Sequence, residues 1–254
     1  MISLNHQENL WGYRKRLFFI RQTLVDAFGV SRFTSLRVLD VGCGNGSQLA
    51  LPLARQGLHI TGIDPNATSI TNAREKAEDL LNAKFLCISV EDISEYFDVV
   101  ILSEVLEHVA NPQDLLFKAT SRLTRGGVAI VTTPNGYGEF ELDRWLFDTF
   151  RLQRLVEVIS SRNRKALAST DNDESPHIQF FTRRRLYNIF AQCGLEVWRE
   201  AGSTLFSGPI IGHSLARSQR FVDWNAKITD RLPLAVASGW YFALRHKEQP
   251  GIAS

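Results

Sequence analysis

The chain of 254 residues is 44% hydrophobic and 22% charged, which supplies a core for one large domain and excludes a disordered chain. Its 29 Lys and Arg nearly balance 27 Asp and Glu, and the resulting net charge of +2 lacks the basic excess of most nucleic-acid-binding domains, so no nucleic-acid partner is expected. Three scattered cysteines, Cys43, Cys87 and Cys193, include no CxxC pair, the pattern of a reducing compartment without a disulfide framework.

The opening "MISLNHQENLWGYRKR" has no apolar leader, so a cytoplasmic location is the expectation. Residues 8–28 are expected to be helical, because Leu17, Ile20, Leu24 and Phe28 recur at spacings of three and four. "LRVLDV" reads as a buried strand, and "GSQLALPLARQG" as a helix closed by Gly57, with Pro52 in its first turns. A second strand, "LHITGID", precedes a helix that starts near Pro65, and "KFLCIS" and "FDVVILS" are the third and fourth strands. "NPQDLLFKATSRLTRGG" reads as a helix closed by glycines and "VAIVTTP" as the fifth strand. Residues 135–176, with Gly, Trp, many Arg and the polar run "STDNDESP", interrupt the alternation as an insertion. "TRRRLYNIFAQCGLEV" restores helix, glycine and strand, and "ASGWYFALRHK" reads as a last strand.

Short apolar strands alternating with helices predict an α/β chain with a mostly parallel sheet covered on both faces. Ligands of such sheets sit beyond the C-terminal ends of the strands. Chemistry is therefore expected after "VLDV", "TGID", "LCIS", "VILS" and "VTTP".

The first of these ends is "VLDVGCGNG", with Asp40 ahead of Gly42, Cys43, Gly44 and Gly46. Dinucleotide-binding turns use GxGxxG to seat a pyrophosphate on a helix N-terminus. Here Ser47 holds the place of the third glycine, and a carboxylate at Asp40 repels a pyrophosphate and favours a cation. The ammonium and sulfonium of S-adenosyl-L-methionine meet that requirement.

The same stretch resembles the first motif of class I S-adenosylmethionine-dependent methyltransferases, and position-matched features extend the resemblance over residues 10–134 and, less closely, 177–247. It implies a Rossmann-like fold with a seven-stranded sheet of order 3-2-1-4-5-7-6 behind an N-terminal helical cap. It implies one domain over 1–254: a cap at 1–34, a cofactor-binding core at 35–134, an acceptor-side insertion at 135–176 and the rest of the core at 177–247. Asp64, followed by Pro65, matches the acid that takes both ribose hydroxyls, although NAD enzymes place an acid there too. "SVEDI" matches the adenine turn, with Val90 and Glu91 favoured over Asp92. "FDVVILSEVLEHVANP" resembles the ubiquinone-biosynthesis O-methyltransferase branch, in which Ser103 lies under the cofactor and Glu104, Glu107 and His108 face the substrate or pack the loop. "LWGYRKR" resembles a segment in which Arg16 reaches the methionine carboxylate beneath a lid of Trp11 and Tyr13; a solvated basic turn is the alternative.

Methyl transfer from a sulfonium needs alignment, dehydration and, for a hydroxyl acceptor, a base. His177, in an "H-x-x-F-[ST]" segment with Thr182 as the helix cap, is the first candidate, weighed against a loop-anchoring role. His108 is the second. The set Glu104, Glu107, His108 has oxygen and nitrogen donors for Mg²⁺, but neighbouring Glu107 and His108 need not converge, so no metal site is expected.

"SEVL" stands where base-amine methyltransferases carry [ND]-P-P-[YFW], and no cysteine follows a proline, which disfavours a Pro-Cys nucleophile. Small-molecule, sugar or lipid-linked acceptors methylated at oxygen remain favoured, with nitrogen acceptors as the alternative. The insertion is expected to form much of their pocket from Phe140, Trp145, Phe147 and Phe150 with Arg144, Arg151 and Arg154, or to pack as an amphipathic helix. "LPLAVASGWYFAL" is too short to span a bilayer, which needs about 20 residues. It is expected to be a buried strand, with peripheral membrane contact as the alternative. An NAD-dependent oxidoreductase and a non-catalytic cofactor-binding module are the rival functions.

Overall fold

The apolar runs become seven strands of one sheet: β1 (Arg37–Val41), β2 (His59–Ile63), β3 (Ala83–Leu86), β4 (Phe97–Ser103), β5 (Leu123–Pro134), β6 (Leu195–Gly202) and β7 (Gly239–His246). The structure, a computed structural model, describes residues 12–136, 177–205 and 219–247. The strand order is β3-β2-β1-β4-β5-β7-β6, as the resemblance implied. β1 to β5 pair in parallel, while β7 runs antiparallel to both β5 and β6. A parallel core places the C-terminal ends of β1, β2, β4 and β5 along one edge of the sheet, which is where the glycine turn emerges.

Alternation along each strand explains why these runs are apolar throughout. Val38, Val99, Ile101, Val128, Ile130, Tyr241 and Ala243 point to one face. Leu39, Val41, Val100, Leu102, Ala129, Val131, Phe242 and Leu244 point to the other. Successive side chains of a strand face opposite ways, so a strand buried on both faces needs apolar residues at every position. The first face is covered by α1 (Tyr13–Phe28), α2 (Ala50–Ala54) and α3 (Ala67–Lys76), the second by α4 (Pro112–Thr120) and α5 (Arg183–Gln192). Leu17, Ile20 and Leu24 form the buried stripe of α1, and Ile20 and Leu24 are fully enclosed. Each side chain so buried stabilises the fold by about 1.5–3 kcal/mol.

The element bounds differ from expectation where local chemistry intervenes. The helix after the glycine turn is only α2, because Gly42, Gly44 and Gly46 all adopt left-handed φ angles (71°, 54° and 74°) and the chain stays in turns up to Leu49. α3 begins close to Pro65, as expected, with Asn66 as its cap, whose side chain accepts from the Ser69 N–H at 3.0 Å. α4 stops at Thr120, short of the expected glycines. There Leu123 pairs with Phe97, and Gly126 (φ 79°) lies in the irregular stretch between that pair and Val128 opposite Val99. A helix expected by no sequence pattern, α6 (Gln219–Ile228), precedes β7. The buried-strand expectation for "LPLAVASGWYFAL" holds for its second half, Gly239 to Leu244, all buried in β7, while Leu234–Val236 form a short 3-10 turn. The expected pocket residues of the insertion, and Trp11, lie outside the described residues.

Candidate functional site

The glycine turn spends its own N–H groups. Gly42 and Cys43 both donate to the Ile63 carbonyl, at 2.8 and 3.0 Å, and Gly46 donates to Cys43 at 3.0 Å. Gly44 donates to Asp64 Oδ2 at 2.9 Å, and Ser47 to Asn45 Oδ1 at 3.1 Å. A phosphate-binding turn needs such donors aimed outward. Here they close the turn onto β2. At Gly42 a side chain is also excluded, since a Cβ would lie 2.7 Å from Val105 Cγ2.

Two carboxylates flank the closed turn. Asp40, 3% exposed on β1, is pushed up to about pKa 7 by burial and by the charge of Asp64, with Arg16 pulling the other way. Asp64 is half-buried just past β2. Its Oδ2 accepts from Gly44 and its Oδ1 from the Asn66 N–H at 2.8 Å, so one carboxylate ties the glycine turn to the start of α3. Each oxygen retains acceptor capacity for another donor. Cys43 turns its thiol inward, toward Gly62, and burial raises its pKa. Its contribution to a ligand is therefore restricted to backbone. Pro65 is exposed, and its carbonyl accepts from the Cys87 thiol at 3.5 Å.

Arg16 reaches this edge from α1 and is buried, so the solvated-turn alternative is excluded. Its Nη1 donates to Ser103 Oγ at 2.6 Å, and its Nη2 lies 3.6 Å from Glu104 Oε1. Burial opposes its charge, while Glu104, Tyr241 and Tyr13 favour it, with a net rise in pKa. Its Nε is buried without a hydrogen-bond partner. Tyr13 stacks on the guanidinium at 5.1 Å. Ser103 ends β4, Glu104 follows it, and both share Thr132 of β5: Ser103 Oγ lies 2.9 Å from its hydroxyl, which donates to Glu104 Oε1 at 2.8 Å. Glu104 is the one non-glycine residue with positive φ (54°) among those described. That conformation costs about 1–2 kcal/mol for a residue with a Cβ. The contacts to Thr132 and Arg16 hold it there.

In the turn after β3, Val90 is buried, leaving its backbone for any ligand. Glu91 is exposed, and its Oε1 accepts from Lys118 of α4 at 2.8 Å. Asp92 turns back onto the Ser89 N–H at 3.2 Å.

The expected Glu104, Glu107, His108 set divides. Glu104 faces Arg16, whereas Glu107 and His108 meet His177, with donor atoms of the three within 4.8 Å of one another. Glu107 and His108, which as chain neighbours need not converge, do so here with His177 as the third member. The link is backbone: the N–H groups of Ile178 and Gln179 both donate to the Glu107 carbonyl, at 3.0 and 3.1 Å. His108 and His177 pack edge to face at 4.9 Å. Glu107 is 1% exposed; its Oε2 accepts from Thr133 at 3.4 Å, and its Oε1 has no hydrogen bond but lies 4.0 Å from His108 Nε2. Burial, then Glu104, raises its pKa well above the usual carboxylate range. Thr182 caps α5 as expected, accepting from the Arg185 N–H at 3.2 Å. Arg183 of the "RRR" run forms a two-pronged pair with Glu200 at 2.7 and 2.8 Å, a structural contact to β6. Sequence reasoning missed Thr132, Thr133 and Tyr241. The signal for the first two was "VTTP" at a strand end; Tyr241 carried none.

A methyltransferase-domain family matches residues 10–200. Among curated relatives, the ubiquinone biosynthesis O-methyltransferase of Maricaulis maris (strain MCS10) is 39% identical over 128 residues, 47% of this chain and 50% of that protein. The chain thus spans about half the length of the curated relatives it matches. Magnesium protoporphyrin IX methyltransferase from Synechocystis PCC 6803, solved with bound SAM, superposes with a TM-score of 0.56 at 14% identity, covering 93% of this chain and 80% of that one. The [4+2]-cyclase SpnF superposes at 0.55 with 16% identity, covering 90% and 80%. Structural likeness at these identities establishes the fold and not the reaction. With the family match over three quarters of its length and the strand order of the sheet, the chain belongs to the methyltransferase-domain family and has the class I S-adenosylmethionine-dependent methyltransferase fold.

Proposed function

We propose that the protein transfers a methyl group from S-adenosyl-L-methionine to a hydroxyl of a small-molecule acceptor. The observation that carries this reading is the glycine turn, which keeps its N–H groups for itself and presents the carboxylates of Asp40 and Asp64. Such an edge repels a pyrophosphate and suits a cationic ligand. In this reading Asp40 faces the ammonium group, and Asp64 takes the ribose hydroxyls. The backbone of Val90 and Glu91 meets adenine, and Arg16, with its unpartnered Nε, takes the cofactor carboxylate over Ser103. Bidentate guanidinium–carboxylate pairing is among the strong hydrogen-bonding arrangements.

The reaction needs one proton acceptor. His177 takes the hydroxyl proton as the oxygen attacks the methyl carbon. The carbon–sulfur bond breaks with its electrons on sulfur, and neutral S-adenosyl-L-homocysteine leaves. His108 and the buried Glu107 hold His177 in place. Ile178 and Phe180, 54% and 45% exposed, give an apolar flank that suits an acceptor with an apolar arm, including a lipid-linked one at a membrane surface. Among the described residues no helix is long and apolar enough to cross a membrane. The domain is read as undivided, with residues 35–134 as the cofactor-binding core, 135–176 as the acceptor-side insertion and 177–247 as the rest of the core.

The convergence of Glu107, His108 and His177 favours a second reading of that cluster, a divalent cation held by one carboxylate oxygen and two imidazole nitrogens. Mg²⁺ prefers oxygen ligands, so this donor set does not fit it; a borderline ion such as Zn²⁺ fits. When bound, such an ion would lower the pKa of a coordinated hydroxyl.

Thermal unfolding tests the cofactor assignment. S-Adenosyl-L-methionine and S-adenosyl-L-homocysteine should each stabilise the fold, by about 2.7 kcal/mol at 100 times the dissociation constant. NADH should not, and Asp64→Ala should abolish the adenosyl effect. Stabilisation by NADH alone would sink the reading.

A further inference from the structure

Tyr241 lies in the middle of β7, on the face covered by α1, and is only 1% exposed. Its ring packs on Phe19 of α1 with centroids 5.7 Å apart. Its hydroxyl donates to the Gly12 carbonyl at 3.1 Å. That carbonyl also accepts from the Arg16 N–H at 2.8 Å, the first hydrogen bond of α1. Burial raises the pKa of the phenol, and against that rise the nearby charge of the Arg16 guanidinium lowers it. A buried phenol needs a partner, and here it is the carbonyl that begins α1. Gly12 makes the approach possible: at φ 76° it admits the hydroxyl to a point 2.7 Å from where a Cβ would stand. One side chain therefore holds the carbonyl that begins α1, which also accepts the backbone N–H of the residue carrying the guanidinium. Ser103 and Glu104 hold that guanidinium from the end of β4.

We propose that Tyr241 is a positioning residue for cofactor binding: it aims Arg16 at the cofactor carboxylate by clamping the Gly12 carbonyl from which the first turn of α1 hangs. This rests on the reading of Arg16 given above. It requires that the hydroxyl matter for the carboxylate and not for the rest of the ligand. A pair of ligands separates those terms. S-Adenosyl-L-homocysteine has the carboxylate; its decarboxylated analogue keeps the adenosine, sulfur and ammonium and lacks only that group.

Calorimetric titration of the full chain with both ligands gives the ratio of their affinities. The unaltered protein should prefer S-adenosyl-L-homocysteine by about tenfold or more, the worth of one charged hydrogen-bonded pair. Arg16→Gln should remove the preference. Tyr241→Phe should cut it at least about threefold, while the affinity for the decarboxylated ligand changes less than about twofold. Equal binding of the two ligands by the unaltered protein overturns the Arg16 reading. A preference lost in Arg16→Gln yet intact in Tyr241→Phe overturns the clamp and leaves that reading standing. An equal loss for both ligands in Tyr241→Phe assigns the residue a structural role only and also overturns the clamp. Should Tyr241→Phe fail to fold, Gly12→Ala displaces the hydroxyl from the backbone side, and the same ratio decides.

Discussion

Asp40 shows how one residue can be costly to the free protein and useful to the liganded one. It is buried beside a second carboxylate, and its pKa is raised to about 7, above an unfolded value near 3.9. A raised carboxyl pKa contributes stability that is fully present below the unfolded value and is lost as pH rises through the folded one. The ligand-free protein should therefore lose stability between about pH 4 and pH 7, and Asp40→Asn should flatten that slope in urea titrations. A cationic ligand reverses the balance, because it favours the ionised form. Affinity for S-adenosyl-L-methionine should fall about tenfold per pH unit below 7, with a proton released on binding. Calorimetry in buffers of different ionisation enthalpy reads that proton; its absence would remove Asp40 from the ammonium site. Glu104 is the complementary case, in which strain at φ 54° is held by Thr132 and Arg16 at the point where the chain leaves β4.

Among the elements, α1 does two jobs with separate faces. Its inner stripe, Leu17, Ile20 and Leu24, packs on the sheet, and its first turn carries Arg16 into the site. The outer face exposes Phe18 at 68%. Leu24→Ala should cost about 2–5 kcal/mol in urea unfolding, because the cavity left under the helix has no route to collapse. Phe18→Ala should stay within about 0.5 kcal/mol. Equal effects from the two would mean that the helix does not pack as described. Thr182 is a smaller device of the same kind: its hydroxyl caps α5 just after the segment that presents His177.

The whole molecule brings together groups that the chain keeps far apart. His177 reaches Glu107 and His108 because the segment after the insertion is bonded to the Glu107 carbonyl and, through Gln179, to the carbonyls of Val109 and Ala110. If the cluster holds a cation, one equivalent of Zn²⁺ should bind in a calorimetric titration, and His177→Ala should lose it with the fold intact. No binding would leave His177 as the base alone. Arg16 and Tyr241 are a second such meeting, between the first helix and the last strand.

Much of this was legible in the residues. Local patterns carry the strands and most helices, because a strand buried on both faces must be apolar throughout and "VLDV", "VVIL" and "VAIV" are. The glycine turn, Asp40 and Asp64 were legible too, since their spacing lies within one β–turn–α–β unit. Element ends were misjudged where the left-handed glycines and the irregular pairing near Gly126 overrode periodicity. The division of Glu104 from Glu107, the burial of Arg16 and the place of Tyr241 had no local signal. They depend on which strands the tertiary fold sets side by side, and on the desolvation that only a closed core imposes on a charge or a phenol.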